Sequence, residues 1–507
     1  MKKYKQVKKN SVVIVGSGLG GLLCGYILSK EGYEVIILEK NNQIGGCLQT
    51  FVRNNCVFDT GMHYIGSMDN GQPLNYLFKY FGLTQKLRLK RLDLNAFDII
   101  DIADSKYAYP QGFNNFTETI TKYFPSEHDA IKKYVNKLQE IGLSLTDLLE
   151  NKVKPGTTGM ARFGHFYENT YEYICSLTNN YRLQNVLAAL NPLYAGDPKT
   201  APLYLHGIIN YSLIQSSWRL VDGGAQIANI LTEEIKNNGG KILIKSEVKE
   251  FVPGADKSIH HVVLTDGEKI EGKYFISDIN PSKTLELTNS ELLRNIYKKR
   301  IHSIEQTISV FSLYIVLKKN EFQYMNYNYY RYNNQNVWGV QTYSPDTWPD
   351  GYMLYTPATS ASQEYAENII AITYMKYDEM LKWEHTTIEK RGNEYKMMKE
   401  QKANLFINQI EKQFPGIKSK IKAYYTSTPL TYRDYTGTPK GSVYGIKKDS
   451  NNPLSTFILP RTKIPNLLMT GQNINLHGVM GVTLGSLLTC GELIGFNYLL
   501  KKIHDAS

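Results

Sequence analysis

After Val15 the chain reads Gly16-Ser17-Gly18-Leu19-Gly20-Gly21, and this run, nearly bare of side chains, constrains the fold more than any other stretch. Ahead of it lies Ser11-Val-Val-Ile-Val15, a β-branched run that suits a strand buried on both faces. Behind it Leu22 to Glu31 reads as a helix, and Tyr33-Glu-Val-Ile-Ile-Leu38 as a second strand that ends at the acid Glu39. Strand, glycine turn, helix, strand and terminal acid make the βαβ unit that holds a dinucleotide. Gly16 permits the tight turn, Gly18 admits a pyrophosphate to the backbone, and Gly21 lets helix and strand pack closely. Unpaired N–H groups and the positive dipole end at the helix start attract the phosphates. Glu39 is placed to accept hydrogen bonds from a ribose diol, and its charge repels a 2′-phosphate, so the site is expected to reject NADP. The same pattern breaks up what would otherwise look like a basic and apolar signal peptide.

With 507 residues, 42% hydrophobic and 21% charged, the chain has about three domain-sized units and an ordinary globular composition. That excludes collagen-like, coiled-coil and wholly disordered classes. The net charge of +11 is partly a tail effect, since five lysines crowd into Met1 to Lys9. No nucleic-acid-binding motif accompanies them, which leaves a solubilising or membrane-surface role. Five scattered cysteines without a Cys-x-x-Cys pair suggest neither a disulfide framework nor a metal site, and point to a reducing compartment. Tyr (38) outnumbers Phe (18). Such rings suit an amphipathic pocket, although the joint rise of Asn, Lys, Ile and Tyr points first to an AT-rich genome.

Beyond Glu39 come Asn41-Asn-Gln-Ile-Gly45-Gly46-Cys47 and Phe58-Asp-Thr-Gly61-Met62-His63-Tyr64-Ile-Gly66. Here the sequence resembles the flavoprotein family of phytoene desaturases, carotenoid isomerases and retinol saturases. Further matches are Leu220-Val-Asp-Gly223-Gly224 with its following helix and strand, Tyr274-Phe-Ile-Ser277-Asp278, and Gly471-Gln472-Asn-Ile-Asn475-Leu-His477-Gly478-Val-Met-Gly481. The resemblance implies an α/β, glutathione-reductase-like two-domain fold, with a Rossmann-type FAD domain carrying a ββα insert and a mixed-sheet and helical substrate domain. It implies FAD as the cofactor, held by Gly16, Gly18, Gly20, Gly21, Glu39 and Lys40, by Gly45, Gly46, Met62 and His63, by Val248, and by Gly471, Gln472, Gly481 and Val482. The helix after Gly478 would point its N-terminus at the pyrimidine end of the flavin. Two departures stand out: Gln472 is neutral where many relatives carry an acid, and Leu476-His477-Gly478 replaces a His-Pro-Gly-Gly-like turn. The run from Gly471 to Gly478, like that from Asp59 to Gly66, is closer to the retinol-saturase-like bacterial branch, and this tilts the expected reaction towards saturation.

The flavin segments are interleaved with insertions, so the expected FAD domain is discontinuous, over 1–90, 218–285 and 455–507. Residues 91–217 and 286–454 would then form the substrate domain, with a helical, membrane-facing part. Asn326 to Gln335, rich in Tyr and Asn, reads as an exposed strand and loop. Val482 to Leu500 is apolar, but Glu492 and several glycines argue against a membrane span. The resemblance implies a hydrophobic polyene or isoprenoid substrate, drawn from the inner face of a membrane by a cytoplasmic protein in peripheral contact with it. His63 and His477 are the candidate general acids, since each sits in a flavin motif; Tyr64 and Arg461 are weaker candidates for the same wall. The external electron donor, NAD(P)H among others, is not legible. Desaturation, redox-neutral isomerisation, amine oxidation, and prenyl-lipid carriage of the Rab GDP-dissociation-inhibitor type remain the alternatives.

Overall fold

The computed structural model describes residues 10–149, 165–361 and 364–506; the basic stretch Met1 to Lys9 lies outside them. The first strand, β1 (Ser11–Val15), is buried at every position, as its β-branched run requires. It leads through the glycine turn into α1 (Leu19–Lys30) and then β2 (Glu34–Leu38). Both strands belong to a five-stranded parallel sheet in the order Lys241–Leu243, β2, β1, Tyr274–Ser277, Leu467–Met469. Strands far apart in sequence therefore end side by side at one edge. One face is covered by α1, packed against the helices Ala225–Asn237 and Gly478–Ile494. A Cβ on Gly25 of α1 would lie 2.7 Å from Ile37 Cδ1, so this helix seats directly on the sheet. The other face carries an antiparallel meander, Val248–Pro253, Ile259–Leu264 and Lys269–Glu271, whose Phe251 meets Phe275 edge to face.

A seven-stranded mixed sheet forms the second body, in the order Ile421–Ser427, Ser309–Leu317, Asn368–Met375, Gly351–Tyr355, Asn328–Tyr332, Asp98–Ile102, Ser105–Tyr109. Its strand Asn328–Tyr332 corrects the expectation of an exposed segment, for all five residues are buried. It lies between two partners, and its alternate side chains serve two cores. Tyr329 packs on Phe414 behind the sheet, while Tyr330 and Tyr332 face the interior cavity. Only beyond the strand are Asn334 and Gln335 exposed. The helices His128–Leu149 and Leu203–Gln215 pack tightly across Gly142 and Gly207, and the second of them borders the larger interior cavity.

Among the described residues no single helix is long and apolar enough to cross a membrane. Gly478–Ile494 and Phe496–Asp505 pass by length and composition only as a pair bent by 119°, and the first is largely buried against α1. All five cysteines are free thiols.

A small sheet of Ile65–Gly66, Ser217–Leu220 and Leu89–Arg91 links the two bodies, and a Cβ on Gly66 would collide with the Ser212 carbonyl. Gly66→Val is expected to cost about 1–3 kcal/mol. Urea unfolding measures it, and an unchanged midpoint would deny the close approach.

Candidate functional site

The carboxyl ends of the parallel strands open into a cavity of about 470 Å³. Such ends, where the strand order reverses, are where open α/β sheets bind ligands. Gly16, at φ +101°, makes the turn that a side chain would disfavour, and its N–H donates to Leu38 O at 2.8 Å. The second glycine pair folds against the first: Gly45 N–H donates to Ser17 O at 2.9 Å, and a Cβ on Gly46 would sit 3.2 Å from Gly18 Cα. Glu39 is buried and oriented at the cavity wall. Its Oε2 accepts from Ser17 N (3.1 Å) and Ser17 Oγ (2.6 Å), and its Oε1 from Asn41 N (2.8 Å).

Of the residues expected at the site, Gly16, Gly18, Gly20, Glu39, Lys40, Gly45, Gly46, Met62, His63, Val248, Gln472, His477, Gly481 and Val482 all border this one cavity, as does Tyr64. Gly21 and Gly471 lie just behind the wall. A Cβ on Gly21 would strike Gly16 O, and one on Gly471 would strike Asp278 Oδ1. Arg461 is elsewhere, exposed and paired with Glu492 at 2.6 Å. The first turn of the helix Gly478–Ile494 reaches the cavity, with His477 as its N-cap.

Past that helix the cavity runs between Ile208 and Ile209 of the helix Leu203–Gln215 and Val310 and Ile372 of the seven-stranded sheet. Leu193 also lines it, whereas Tyr194 turns away to His206. A smaller chamber of about 50 Å³ continues it between Tyr330, Tyr332, Tyr374 and Tyr444, sharing His63 and Leu193. The helix Pro429–Thr436 covers the flank with Tyr432 and Tyr435.

The two histidines are half-buried in the cavity wall and neutral. His63 Nδ1 lies 3.3 Å from Tyr355 Oη, and burial, aided by the Arg219 charge, lowers its pKa to about 4. His477 Nε2 donates to Leu193 O at 2.9 Å, its ring centroid is 4.4 Å from that of Tyr444, and burial lowers it to about 4 as well. Neither is a charged acid near neutral pH.

Sequence reasoning missed three buried polar groups. Asp59 Oδ1 accepts from Gly224 N at 2.7 Å and ties the Gly223–Gly224 turn to the site; burial raises it to about 7. Arg219 reaches five oxygens, among them Thr356 O at 2.8 Å and Asn328 Oδ1 at 2.7 Å. Asn328 Nδ2 in turn donates to Asp98 Oδ1 at 2.7 Å, and Tyr64 Oη donates to Asp98 Oδ2 at 2.9 Å while touching Tyr330 Oη at 2.9 Å. Burial raises Asp98 to about 7 as well. Asp59 stood inside a quoted motif, but nothing in its spacing marked it; Asp98 and Arg219 carry no local signal.

Comparison with known proteins agrees with this arrangement. A model of the NAD(P)-binding Rossmann-like domain matches residues 14–81. The chain is 27% identical to an all-trans-retinol 13,14-reductase of Danio rerio, over 95% of this chain and 85% of that one. It is 24% identical to a chloroplastic prolycopene isomerase of an Oncidium hybrid cultivar, over 87% and 76%. Its fold superposes on a triple mutant of putrescine oxidase with a TM-score of 0.63, at 13% identity, covering 96% and 98%. The chain is an oxidoreductase related to these reductases and isomerases. The α/β fold expected from the sequence stands, with its Rossmann-like unit and its mixed sheet.

Two measurements check the electrostatics of this oxidoreductase. The ring signals of His63 and His477 should show no titration between pH 8 and 5 in NMR spectra, since burial holds both near 4. Asp98, raised from 3.8 to about 7, costs the fold stability as pH climbs through that window, because the unfolded chain ionises first. Asp98→Asn should therefore gain on the natural protein by up to about 1.4 kcal/mol per pH unit between pH 5 and 7, read from paired urea titrations. A pH-independent difference would refute the buried neutral acid.

Proposed function

We propose that the protein binds FAD at the glycine turn and saturates a carbon–carbon double bond of a hydrophobic polyene or isoprenoid of the carotenoid or retinoid type. The observation that carries this reading is the continuity of one cavity from Gly16 and Glu39, past the start of the helix Gly478–Ile494, to the tyrosines of the seven-stranded sheet. The residues present suit a flavin dinucleotide: Glu39 is held ready for a ribose, and side chains at Gly18 or Gly46 would fill the approach of a pyrophosphate. The bound flavin would supply hydride chemistry at its ring.

The chain does the rest. N–H groups at the start of the helix Gly478–Ile494 favour negative charge beside them. Ile208, Ile209, Val310 and Ile372 exclude water and align an apolar substrate. His63 and His477, neutral, orient groups by hydrogen bonding, while burial keeps the Tyr64 hydroxyl, which donates to Asp98, un-ionised at the wall. Similarity to retinol reductases and prolycopene isomerases supports a polyene. A cytoplasmic location, with the protein touching the inner face of a membrane, goes with such a substrate.

Anaerobic incubation of the reduced, FAD-loaded protein with a small panel of polyenes, followed by mass spectrometry, tests the reaction. A product heavier by two hydrogens is expected; an unchanged mass with altered geometry would assign an isomerase instead. Glu39→Ala should weaken FAD retention by about 1–3 kcal/mol, the loss of charge-assisted hydrogen bonds, as measured by flavin release. Undiminished affinity would remove Glu39 from the cofactor site.

A further inference from the structure

The strand Tyr274–Ser277 ends beside β1, and the next residue, Asp278, turns its carboxyl into the glycine turn. A Cβ on Gly18 would lie 2.6 Å from Asp278 Oδ2, and one on Gly20 would lie 2.5 Å from Oδ1. Gly21 and Gly471 press on the same two oxygens. The carboxyl thus occupies the wall of the pocket that the start of α1 offers to a pyrophosphate. Its Oδ2 is buried there with the Gly18 and Gly21 amides nearby but in no well-formed hydrogen bond, an unusual state for an acid that accepts strongly. An ionised carboxylate in this place would face the two negative charges of a pyrophosphate at short range. A neutral carboxyl has an O–H to donate instead.

We propose that Asp278 is a proton-carrying member of the cofactor cradle, which takes the pyrophosphate with its carboxyl in the neutral acid form, so that in alkaline solution, where the empty cradle holds the carboxylate, cofactor loading takes up one proton from solvent. The proposal rests on the reading that the cradle holds FAD. The surrounding groups agree with it. Glu39, at the end of β2, adds negative charge; the Cys47 thiol, on the turn Gly46–Leu48, is pushed up to about 11 by burial and stays neutral. Backbone at Gly20 and Gly21 of α1 and at Gly471 lies against the carboxyl, and Lys283, on the following helix, pairs with Glu286. Burial raises Asp278 to about 7, outweighing the amides of Gly21 and Gly18 that favour its anion.

The test is the dissociation constant of FAD from the flavin-free full chain, by fluorescence titration between pH 6 and 9. In the natural protein affinity should be nearly flat below pH 7 and fall by up to about tenfold per pH unit above it. Asp278→Asn, which cannot ionise, should bind as tightly as the natural protein at pH 6 and keep that affinity at pH 9; Asp278→Ala should likewise lose the pH dependence if the amide variant folds poorly. FAD binding with the same pH slope in these variants, or no slope in the natural protein, would overturn the proposal while leaving the FAD site intact. Failure of the natural protein to bind FAD at any pH would overturn the cofactor reading and the proposal with it.

Discussion

Close approach of backbone to backbone at the carboxyl end of the parallel sheet is the constraint on which the rest depends. The turn after Val15, the Gly45–Gly46 pair and Gly471 come from three parts of the chain, and each is glycine where a Cβ would strike a neighbour or the left-handed backbone favours none. Because strands from the start, middle and end of the chain must finish side by side, the insertions between them are pushed out to form a second body. The cavity is what lies between the two. Its polar end is made of main chain and fixed acids, and its far end of isoleucines and tyrosine rings.

That second body solves a different problem. Arg219 is almost fully buried and meets oxygens rather than a direct carboxylate partner, with Asp98 reached only through Asn328. A buried cation held this way is costly to disturb, since removing any acceptor leaves charge unpaired. The network ends on Tyr64 and Tyr330, so the same arrangement that secures the sheet also sets hydroxyl groups at the cavity wall.

What the sequence made legible was what depends on local spacing. The glycine turn, Glu39, the Gly45–Gly46 pair, the two histidines in their motifs and the start of the last long helix could all be placed from neighbouring residues, and the cavity gathers them. The strand Asn328–Tyr332 was misjudged because burial on both faces erases the alternation that marks an exposed strand. Asp98 and Arg219 were invisible for another reason: their partners lie from 34 to 230 positions away, where no pattern along the chain can show them. Asp278 stood inside a recognised strand motif, yet only the folded backbone reveals that its carboxyl enters the turn.

The central claim is that one flavin dinucleotide is gripped at this junction. The visible absorption spectrum of the purified protein, saturated with FAD and freed of excess by gel filtration, tests it most directly. A yellow protein carrying close to one flavin per chain is the predicted result; a colourless protein that retains no flavin would contradict the account.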